Sequence, residues 1–427
     1  MTTTGIGAAN REALERLCRA RPAWTGMTTA REALGLNGRS LLHAGPPIAW
    51  ERMCPIMHGA VMCAIQYEGW AATPIDAERL AASGDVTFAP AHSRGAVAPM
   101  AGVISPGTPL IEVEDRANGT KAWSFMGTGP GPQLRFGAHG REALARLAWN
   151  RDVVTPALSR VLEREGPLDL VAHMAQALSM GDEMHMRNAA STALLTKALA
   201  GPLAAVVGDA EQLERILRFL TRDNDQHFLT WAMCTAKAAA RAIEGIAGCT
   251  VVSTMARNGV EFGIRVAGLG DRWFTGPASV VAGSYFPGFS AADANRDIGD
   301  SAIMETYGLG GMAMAASPAV TRIVGAKSVT DAIETTRRMG EICVGRNPTF
   351  SIGVLDWEGT PTGIDIRKVV ETGIVPAINT AIAHRDLAVA RIIGAGIATP
   401  PLDPFVAALV AFGEAHAGAR AARAGTS

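Results

Sequence analysis

The chain has 427 residues and a mass of 44.5 kDa, a length that predicts two or three domains with a sizeable core. Hydrophobic residues make up 48% and charged residues 19%, which excludes an intrinsically disordered polar chain. With 39 Lys and Arg against 40 Asp and Glu, the net charge is −1. The chain therefore lacks the basic surplus that is typical of nucleic-acid-binding proteins.

Cysteine usage and the absence of a leader indicate a cytoplasmic protein. The six cysteines are scattered and form no C-x-x-C pair, which favours buried thiols in a reducing compartment over a zinc or disulfide framework. Residues 1–10 lack the basic start and apolar run of a secretory signal. The long uncharged run Trp273–Ala292 contains three Gly and two Pro, so we expect no membrane-spanning helix there.

The first 140 residues combine helical and strand patterns. Apolar spacing predicts an amphipathic helix over Asn10–Arg21 and a longer apolar helix over Ala49–Ala71, which Pro55 should bend or begin. Thr28 or Thr29 is suited to cap a short helix that follows. Two alternating runs flank an Asn-Gly pair at 118–119, a strong β-hairpin signal.

The middle of the chain, residues 141–245, reads as helical. Gly-Pro, Gly-Asp and single Gly separators divide segments that each have helical periodicity. The predicted helices are Glu142–Arg164, Leu168–Leu178, Asp182–Leu199, Ala210–Thr221 and Phe228–Ile246.

The last part, residues 246–427, contains two more predicted hairpins with helices between them. One joins 249–256 to 260–266 through an Asn-Gly turn, and the other joins 350–357 to 363–370. Helices are predicted over Val329–Ile342 and Pro404–Glu414. Hairpins with segregated helices indicate an α+β fold, with two mixed domains at 1–140 and 246–427 and a helical domain at 141–245.

The common nucleotide, zinc and serine-hydrolase motifs are absent from the sequence. The remaining candidates for catalytic residues are polar clusters that lie beside glycine. In the first cluster, Asp182 is suited to cap a helix and to orient His185 as a general acid/base. Arg187 and Asn188 would then contact a polar substrate. The alternative is a capped helix with a surface ion pair between Glu183 and Arg187.

Two further clusters offer arginines for an anion. Arg257 flanks an Asn258-Gly259 turn together with Glu261, and it could bind a carboxylate or phosphate bidentately. Equally, the segment could be an ordinary turn with exposed charges. Asp271 and Arg272 form either an anion clamp on a tight turn or a structural corner with a buried salt bridge.

The remaining candidates lie in the segments 293–311 and 360–385 and around His92. Four carboxylates in the first segment could hold Mg²⁺ or Ca²⁺, but their spacing is not that of an EF-hand, so no metal is assigned and a divalent cation is only an alternative. The glycines that follow could direct backbone N–H groups at an oxyanion. In a strand, Asp365 and Arg367 would share one face. The candidate binding residues in this group are His92, Ser301, Gly310, Gly311, Asp365 and Arg367.

Six long segments together resemble the bacterial YlbE/YahG-like family. They are 41–71, 96–110, 180–190, 255–278, 297–311 and 359–385, and the resemblance extends over about Leu41–Phe412. It implies α+β domains with a helical domain between or beside them. One branch of the family is a subunit of oxamate carbamoyltransferase in anaerobic allantoin degradation, a route of purine and nitrogen catabolism.

The resemblance implies a reversible reaction in which oxalurate and phosphate give oxamate and carbamoyl phosphate. It also implies partner subunits. We expect the chain to form a homo-oligomer, either together with such partners or without them. Carbamoyl transfer passes through a tetrahedral oxyanion and needs a proton donor for the leaving nitrogen. We therefore predict His185 as the acid/base, Arg257 and Arg272 as anion binders, and the backbone of 308–311 as oxyanion donor.

Two other functions stay open at the level of sequence. The protein could be a stand-alone amidohydrolase or C–N lyase acting on a small ureido compound or cyclic amide. It could also be a non-catalytic subunit that binds a metabolite and partner chains. No cofactor, nucleic acid or membrane is expected in any of these cases.

Overall fold

The computed structural model describes residues 3–127, 136–221, 226–325 and 328–424, and it confirms the α+β class. Fifteen α-helices occur in this part of the chain. They are α1 Thr3–Arg19, α2 Ala30–Leu34, α3 Pro55–Tyr67, α4 Pro74–Ala82, α5 Arg141–Trp149, α6 Thr155–Glu165, α7 Leu170–Ser179, α8 Ala189–Val206, α9 Ala210–Thr221, α10 Leu229–Arg241, α11 Ile303–Thr306, α12 Pro318–Ile323, α13 Val329–Ile342, α14 Ile366–Thr372 and α15 Asp403–Ala424.

The same residues contain seventeen strands, which form five small sheets. The strands are β1 Pro22–Thr29, β2 Ser40–His43, β3 Thr87–Pro90, β4 Ala96–Val97, β5 Val103–Ile104, β6 Pro109–Asp115, β7 Thr120–Ser124, β8 Leu168–Asp169, β9 Val252–Asn258, β10 Glu261–Val266, β11 Phe274–Pro277, β12 Ala282–Tyr285, β13 Ile298–Gly299, β14 Cys343–Ile352, β15 Glu358–Ile364, β16 Ile378–Ala383 and β17 Ile392–Ala398.

The N-terminal part builds two sheets. One has the order β4-β7-β6-β1-β8 and the other the order β3-β2-β5. The predicted hairpin is confirmed, since β6 pairs antiparallel with β7 around Gly119, whose φ is 71°. Thr29 is the N-cap of α2 and forms a capping box with Glu32, which stabilises this short helix by satisfying its first free N–H groups.

The C-terminal part builds three sheets, with the orders β11-β10-β9-β13, β12-β17-β16 and β14-β15. The predicted β9–β10 hairpin is confirmed, with Phe262 opposite Arg257. The second predicted hairpin is present with shifted strands, since β14 at 343–352 pairs with β15 at 358–364, whereas the sequence predicted 350–357 and 363–370. The segment after β15 differs from the prediction, because Asp365 caps helix α14 instead of continuing the strand. Arg367 therefore lies in a helix, and the expected shared strand face does not exist.

The helical prediction for the middle of the chain holds, with one consequential error. Helix α8 begins at Ala189, whereas the sequence predicted a start at Asp182. Residues 180–188 form turns instead, and Met184 has a left-handed φ of 64°. The Glu183 carboxylate accepts the backbone N–H groups of His185 and Met186. These side-chain contacts satisfy backbone donors of the turn that would otherwise be buried without a partner.

The hydrophobic core is formed by large clusters that bring distant parts of the chain together. The first contains apolar residues of α1, β1, α6 to α8 and α10 together with Ile303 and Leu309. The second is centred on α3, and the third lies between β9, β10, β16, β17 and α15. The domain boundaries near 140 and 245 stay predictions.

One helix among the described residues, α8, is long and apolar enough to cross a membrane by length and composition alone. Core helices satisfy the same criterion. Here α8 contacts α6, α7 and α9, and its apolar residues Leu195, Leu199 and Leu203 are buried in the first core cluster.

Candidate functional site

A partly open cavity of about 310 Å³ lies where the 180–188 turns meet β16, β17 and the segment after β13. Its wall is mostly apolar, with four polar side chains among the lining residues. This is the usual composition of a small-molecule site, in which a few polar groups fix orientation. The lining residues are Met100, His185, Met186, Gln226, Leu229, Phe286, Ser301, Thr380, Ala381, Ile392, Gly394 and Ala395.

His185 reaches the cavity from the turns that replace the predicted helix start. Its Nδ1 lies 2.8 Å from Glu305 Oε1, and both side chains are almost completely buried. A carboxylate only accepts hydrogen bonds, so we assign the proton to Nδ1. Nε2 is then left without a proton and can accept one from a molecule in the cavity, which is the arrangement of an oriented general base.

Glu305 is held by backbone donors as well as by the imidazole. The N–H of Gly311 donates to its Oε1 at 3.1 Å, and that of Asn379 at 3.2 Å. The second oxygen, Oε2, is buried and has no hydrogen-bond partner. All three contacts are made to Oε1, so the His185–Glu305 pair (the dyad) is fixed from one side of the carboxylate. Among the described contacts, His185 is the one side chain that bonds Glu305.

A second carboxylate, Glu183, lies beside the dyad. It accepts the Asn379 side-chain amide at 3.0 Å in addition to two backbone N–H groups. Burial raises the pKa of Glu183 above its usual range, although these hydrogen bonds oppose the shift. Asn379 thus contacts both acids, because its backbone N–H binds Glu305 and its side chain binds Glu183.

Arg257 lies behind the cavity wall and not in it. Its Nε and Nη2 donate to the two oxygens of Asp297 at 2.6 and 2.9 Å. Nη1 donates to the Gly299 carbonyl at 2.7 Å and contacts Ser301 Oγ at 3.4 Å, and Nη2 also donates to Thr380 Oγ1 at 3.0 Å. The guanidinium is fully buried and its donors are used within the protein. It acts on the cavity through two hydroxyls that line it.

The expected pairing of His185 with Asp182 is wrong. Asp182 accepts Nη1 of Arg187 at 2.5 Å and the N–H and hydroxyl of Ser191, so it anchors the start of α8. Asn188 donates to Gln226 Oε1 at 3.2 Å, which places it next to a lining residue. The expected pair between Glu183 and Arg187 is likewise replaced by the pair between Asp182 and Arg187.

The candidates on and after the β9–β10 turn have local partners. Asn258 Oδ1 accepts the N–H groups of Val260 and Glu261, which stabilises the predicted turn. Glu261 forms a surface ion pair with Arg52. Asp271 pairs with Arg265, but the Asp271 side chain is 95% exposed, so the buried salt bridge expected at this corner is not found.

Arg272 is exposed, with its guanidinium 5.2 Å from the ring centroid of Phe274. Asp365 accepts Arg367 Nη2 at 2.6 Å and the side chains of Asn10 and Thr250. It therefore ties α1 to the C-terminal part. None of these charged side chains lines the cavity, and their roles in binding stay predictions.

The two backbone donors proposed for an oxyanion bind the protein itself. Gly310 N–H donates to the Glu183 carbonyl at 2.8 Å, and Gly311 N–H donates to the Glu305 carboxylate. The two N–H groups therefore bind different acceptors, and the predicted convergence on one negatively charged oxygen is not found. They are not free to stabilise a substrate oxyanion in this conformation.

His92 and the acidic residues of 293–305 lie in different environments. His92 Nε2 is 3.4 Å from Asp300 Oδ1, behind the segment that carries Ser301. Asp293 caps a turn at Ser290, and Asp297 pairs with Arg257. Over residues 3–127, 136–221, 226–325 and 328–424, no group of three His, Cys, Asp or Glu is placed to hold a metal ion.

Two wider depressions lie on the surface of α5 and α9, one of about 470 Å³ and one of about 400 Å³. They are open to solvent and contain none of the candidate residues. The cavity lined by His185 is smaller, but the imidazole in its wall is paired with a buried carboxylate, so we assign the candidate site to it.

Sequence reasoning missed Thr380 and the role of Glu305. Thr380 belongs to an apolar strand, and nothing in its neighbours marks it as polar lining. Glu305 was noticed only as one of four carboxylates. Its partner His185 is 120 residues away along the chain, so local spacing gives no sign of the pair. The remaining signal was chemical, since a buried carboxylate needs a donor.

Comparisons with known proteins agree with this architecture. The family model described as oxamate carbamoyltransferase subunit AllG matches residues 86–301. The chain is 45% identical over 414 residues to the oxamate carbamoyltransferase subunit AllG of Escherichia coli K12, covering 96% of this chain and 98% of that protein. It is also 45% identical over 413 residues to the protein YahG of the same organism, covering 96% of this chain and 87% of YahG.

A solved structure shows the same fold. The crystal structure of a conserved protein of unknown function from Enterococcus faecalis V583 superimposes with a TM-score of 0.92 at 42% sequence identity. The match covers 95% of this chain and 97% of that one. The fold is therefore shared over nearly the whole length of both proteins.

Proposed function

The chain belongs to the oxamate carbamoyltransferase subunit AllG family, and from this we propose that it is a carbamoyltransferase subunit that acts on a small ureido-carboxylate. The substrate pair would be oxalurate and oxamate, with phosphate and carbamoyl phosphate as the other pair. The single observation that carries the proposal is the buried His185–Glu305 dyad in the wall of a mostly apolar cavity. Family membership supplies the reaction class, and the dyad supplies the proton chemistry that the class requires.

The dyad fits the proton transfers of carbamoyl transfer. When phosphate attacks the carbamoyl carbon of oxalurate, the C–N bond breaks and the leaving amide nitrogen must gain a proton. His185 Nε2 would take a proton from the attacking phosphate and deliver it to that nitrogen. Glu305 would hold the ring and stabilise the imidazolium that forms in between.

Two hydroxyls opposite the apolar wall are suited to orient the substrate. Thr380 Oγ1 accepts from Arg257 and lies 3.0 Å from Asp297 Oδ1, so its proton is directed at that carboxylate. Ser301 Oγ only accepts a long contact from Arg257, so its own proton is available for a substrate oxygen. We propose Ser301 as a donor to the carbamoyl oxygen as negative charge develops there.

The apolar lining favours transfer over hydrolysis. Met100, Met186, Leu229, Phe286 and Ile392 surround the polar groups, and an apolar cavity keeps water away from a reactive carbamoyl group. This supports the transferase over the stand-alone amidohydrolase. The equal identity to AllG and YahG leaves the substrate itself to experiment.

The test is the phosphate dependence of product formation with partner subunits present. We expect oxalurate and phosphate to give carbamoyl phosphate, and His185→Gln to lower kcat by about 10²–10⁴. His58→Gln is the matched control and should retain activity, since this half-buried imidazole bonds the Trp50 carbonyl and does not line the cavity. Ammonia and CO₂ formed without phosphate would show a hydrolase instead. The chain would be a non-catalytic subunit if it binds ligand and its His185→Gln variant still supports full turnover of the complex.

A further inference from the structure

The turn between β14 and β15 carries an exposed tryptophan on a strained backbone. Trp357 is 70% exposed, more than any other large apolar side chain among the described residues, and Val354 of the same turn is 57% exposed. Asp356 and Trp357 both have left-handed backbone conformations, with φ of 53° and 63°. This conformation is uncommon for residues other than glycine, and for a bulky residue it is a clear outlier. Strained residues of this kind concentrate at functional sites.

The turn is held at both of its ends, so the fold presents Trp357 to solvent in a fixed position. The N–H of Trp357 donates to the Ile352 carbonyl at 3.1 Å. Leu355, in the middle of the turn, is buried with Ile352 in a small apolar cluster. An exposed indole on a rigid support loses little conformational freedom when it binds a partner.

Two carboxylates flank the indole and make this turn acidic. Glu358 pairs with Arg346 at 3.0 Å. Asp356 is exposed and forms no ion pair or side-chain hydrogen bond in the part of the chain that the structure describes. We call Val354, Asp356, Trp357 and Glu358 the acidic tip. Its chemistry, an indole beside an unpaired carboxylate, suits a partner surface that offers an aromatic group and a cation together.

One of the two depressions on α5 and α9 has this complementary chemistry. It has a volume of about 470 Å³ and is lined by two aromatic rings, Trp149 and Phe219, whose centroids lie 5.1 Å apart in a T-shaped arrangement. The guanidinium of Arg146 lies 5.4 Å from the Phe219 centroid, and that of Arg215 lies 5.8 Å from the Trp149 centroid. We call it the arginine depression.

The charge of the arginine depression is mainly positive. Three arginines and one carboxylate, Glu142, occur among its described lining residues. Arg218 already pairs with Glu214 at 2.5 Å, so we do not rely on it. Arg215 is exposed, and its guanidinium forms no ion pair or hydrogen bond within the described part of the chain. Arg215 is therefore able to bind a carboxylate from another molecule beside an aromatic surface.

We infer that the acidic tip of one copy of this chain docks in the arginine depression of a second copy. Asp356 would pair with Arg215, and the indole of Trp357 would pack against Trp149 and Phe219. The depression falls within the range of about 300–1,000 Å³ that holds a small ligand, so it has room for an indole. Tryptophan and arginine are also the residue types that contribute most to binding at protein interfaces.

The contact area indicates that the docking occurs twice in one assembly. One indole buries about 150–250 Å², whereas a stable interface buries about 1,200–2,000 Å² in total. In a two-fold dimer, the tip of each copy enters the depression of the other, because such an interface uses the same patches on both subunits. We therefore expect a symmetric dimer. This inference does not depend on the proposed function, since neither surface shares a residue with the cavity lining.

The test is sedimentation velocity of the full chain alone over a range of concentrations. We expect a dimer, and Trp357→Ala, Asp356→Arg and Arg215→Glu should each raise its dissociation constant about tenfold or more. A chain with both Asp356→Arg and Arg215→Glu exchanges the two charges and should recover most of the lost affinity. Arg272→Glu is the matched control, since this exposed arginine also lies over an aromatic ring, that of Phe274, and it should dimerise like the unaltered chain.

Circular dichroism would confirm that each variant is folded. Arg215→Glu leaves the strained turn unchanged, so it keeps the test decisive if a substitution at 356 or 357 disturbs that turn. The inference is overturned by a chain that stays monomeric at every concentration, or by a dimer that is equally tight in folded Trp357→Ala or Arg215→Glu. It is also overturned if the charge-exchanged chain dissociates as readily as the single variants. A monomeric chain that needs Trp357 to bind partner subunits would show that a partner, and not a second copy, occupies the surface.

Discussion

The Arg257–Asp297 pair allows a sharp test of whether this arginine is structural or binds substrate. Replacing Arg257 with Met removes donors to the Asp297 carboxylate, the Gly299 carbonyl and the Thr380 hydroxyl. The Asp297 side chain is 2% exposed, so its charge is left buried without a cation. Breaking a buried pair in this way costs about 3–5 kcal/mol, which in a unit of 150–250 residues lowers the melting temperature by about 6–20 °C.

The assay is thermal unfolding followed by circular dichroism, with Arg272→Met as the matched control. Arg272 is exposed, so its replacement should change stability by no more than about 0.5 kcal/mol. Adding Asp297→Asn to Arg257→Met should recover part of the lost stability, because the uncompensated charge is then absent. An Arg257→Met protein as stable as the Arg272→Met protein, yet unable to bind anionic substrate, would refute the structural role and favour the sequence-based prediction.

Three further outcomes follow from the buried groups. Glu305→Gln should lower kcat by about 10²–10⁴, measured by carbamoyl phosphate formation with the melting temperature as a control, while Glu305→Asp retains part of the rate. Burial lowers the pKa of His227 to about 3, so folded His227 stays neutral while the unfolded chain gains a proton. Stability should therefore fall as pH drops from about 6.5 towards 3, by about 1 kcal/mol per pH unit from this residue, and urea midpoints of His227→Gln should fall less steeply. Gly311→Ala should destabilise the fold or abolish expression, since a Cβ there would lie 1.9 Å from the Ala377 carbonyl oxygen.

The sequence predicted elements well wherever one local signal decides the structure. Helices α9 and α13 have the predicted bounds, Ala210–Thr221 and Val329–Ile342, because strong amphipathic periodicity coincides with clear breaks at their ends. The Asn-Gly turns placed two hairpins correctly, since this dipeptide readily adopts the left-handed conformation that a tight turn requires.

Prediction failed where long-range contacts override the local preference. Because Asp182 is a favourable N-cap residue, the sequence predicts a helix that starts there. Asp182 instead accepts hydrogen bonds from Arg187 and Ser191, and the Glu183 carboxylate accepts the N–H groups that follow it. Asn379 then fixes Glu183 from 196 residues away. No window of the sequence contains both partners, so the turn that presents His185 was not predictable from its neighbours.

The candidate site was predicted in part for the same reason. His185 and Ser301 were singled out, and both line the cavity. Arg257 was singled out for its bidentate geometry, which is present but is directed at Asp297. A sequence shows that a buried arginine will find a carboxylate, but it does not show whether that carboxylate belongs to a substrate or to the protein.

The charges around the cavity limit how a reaction between two anions, oxalurate and phosphate, could proceed. No Lys or Arg occurs among the lining residues that the structure describes, so the cavity itself suits the uncharged ureido end of a substrate. The buried cations Lys237 and Arg265 do not line it either, and each already has a carboxylate partner, Glu244 for Lys237 and Asp271 for Arg265. The carboxylate of oxalurate would then need a cation from outside these lining residues, which is the specific task we assign to a partner subunit.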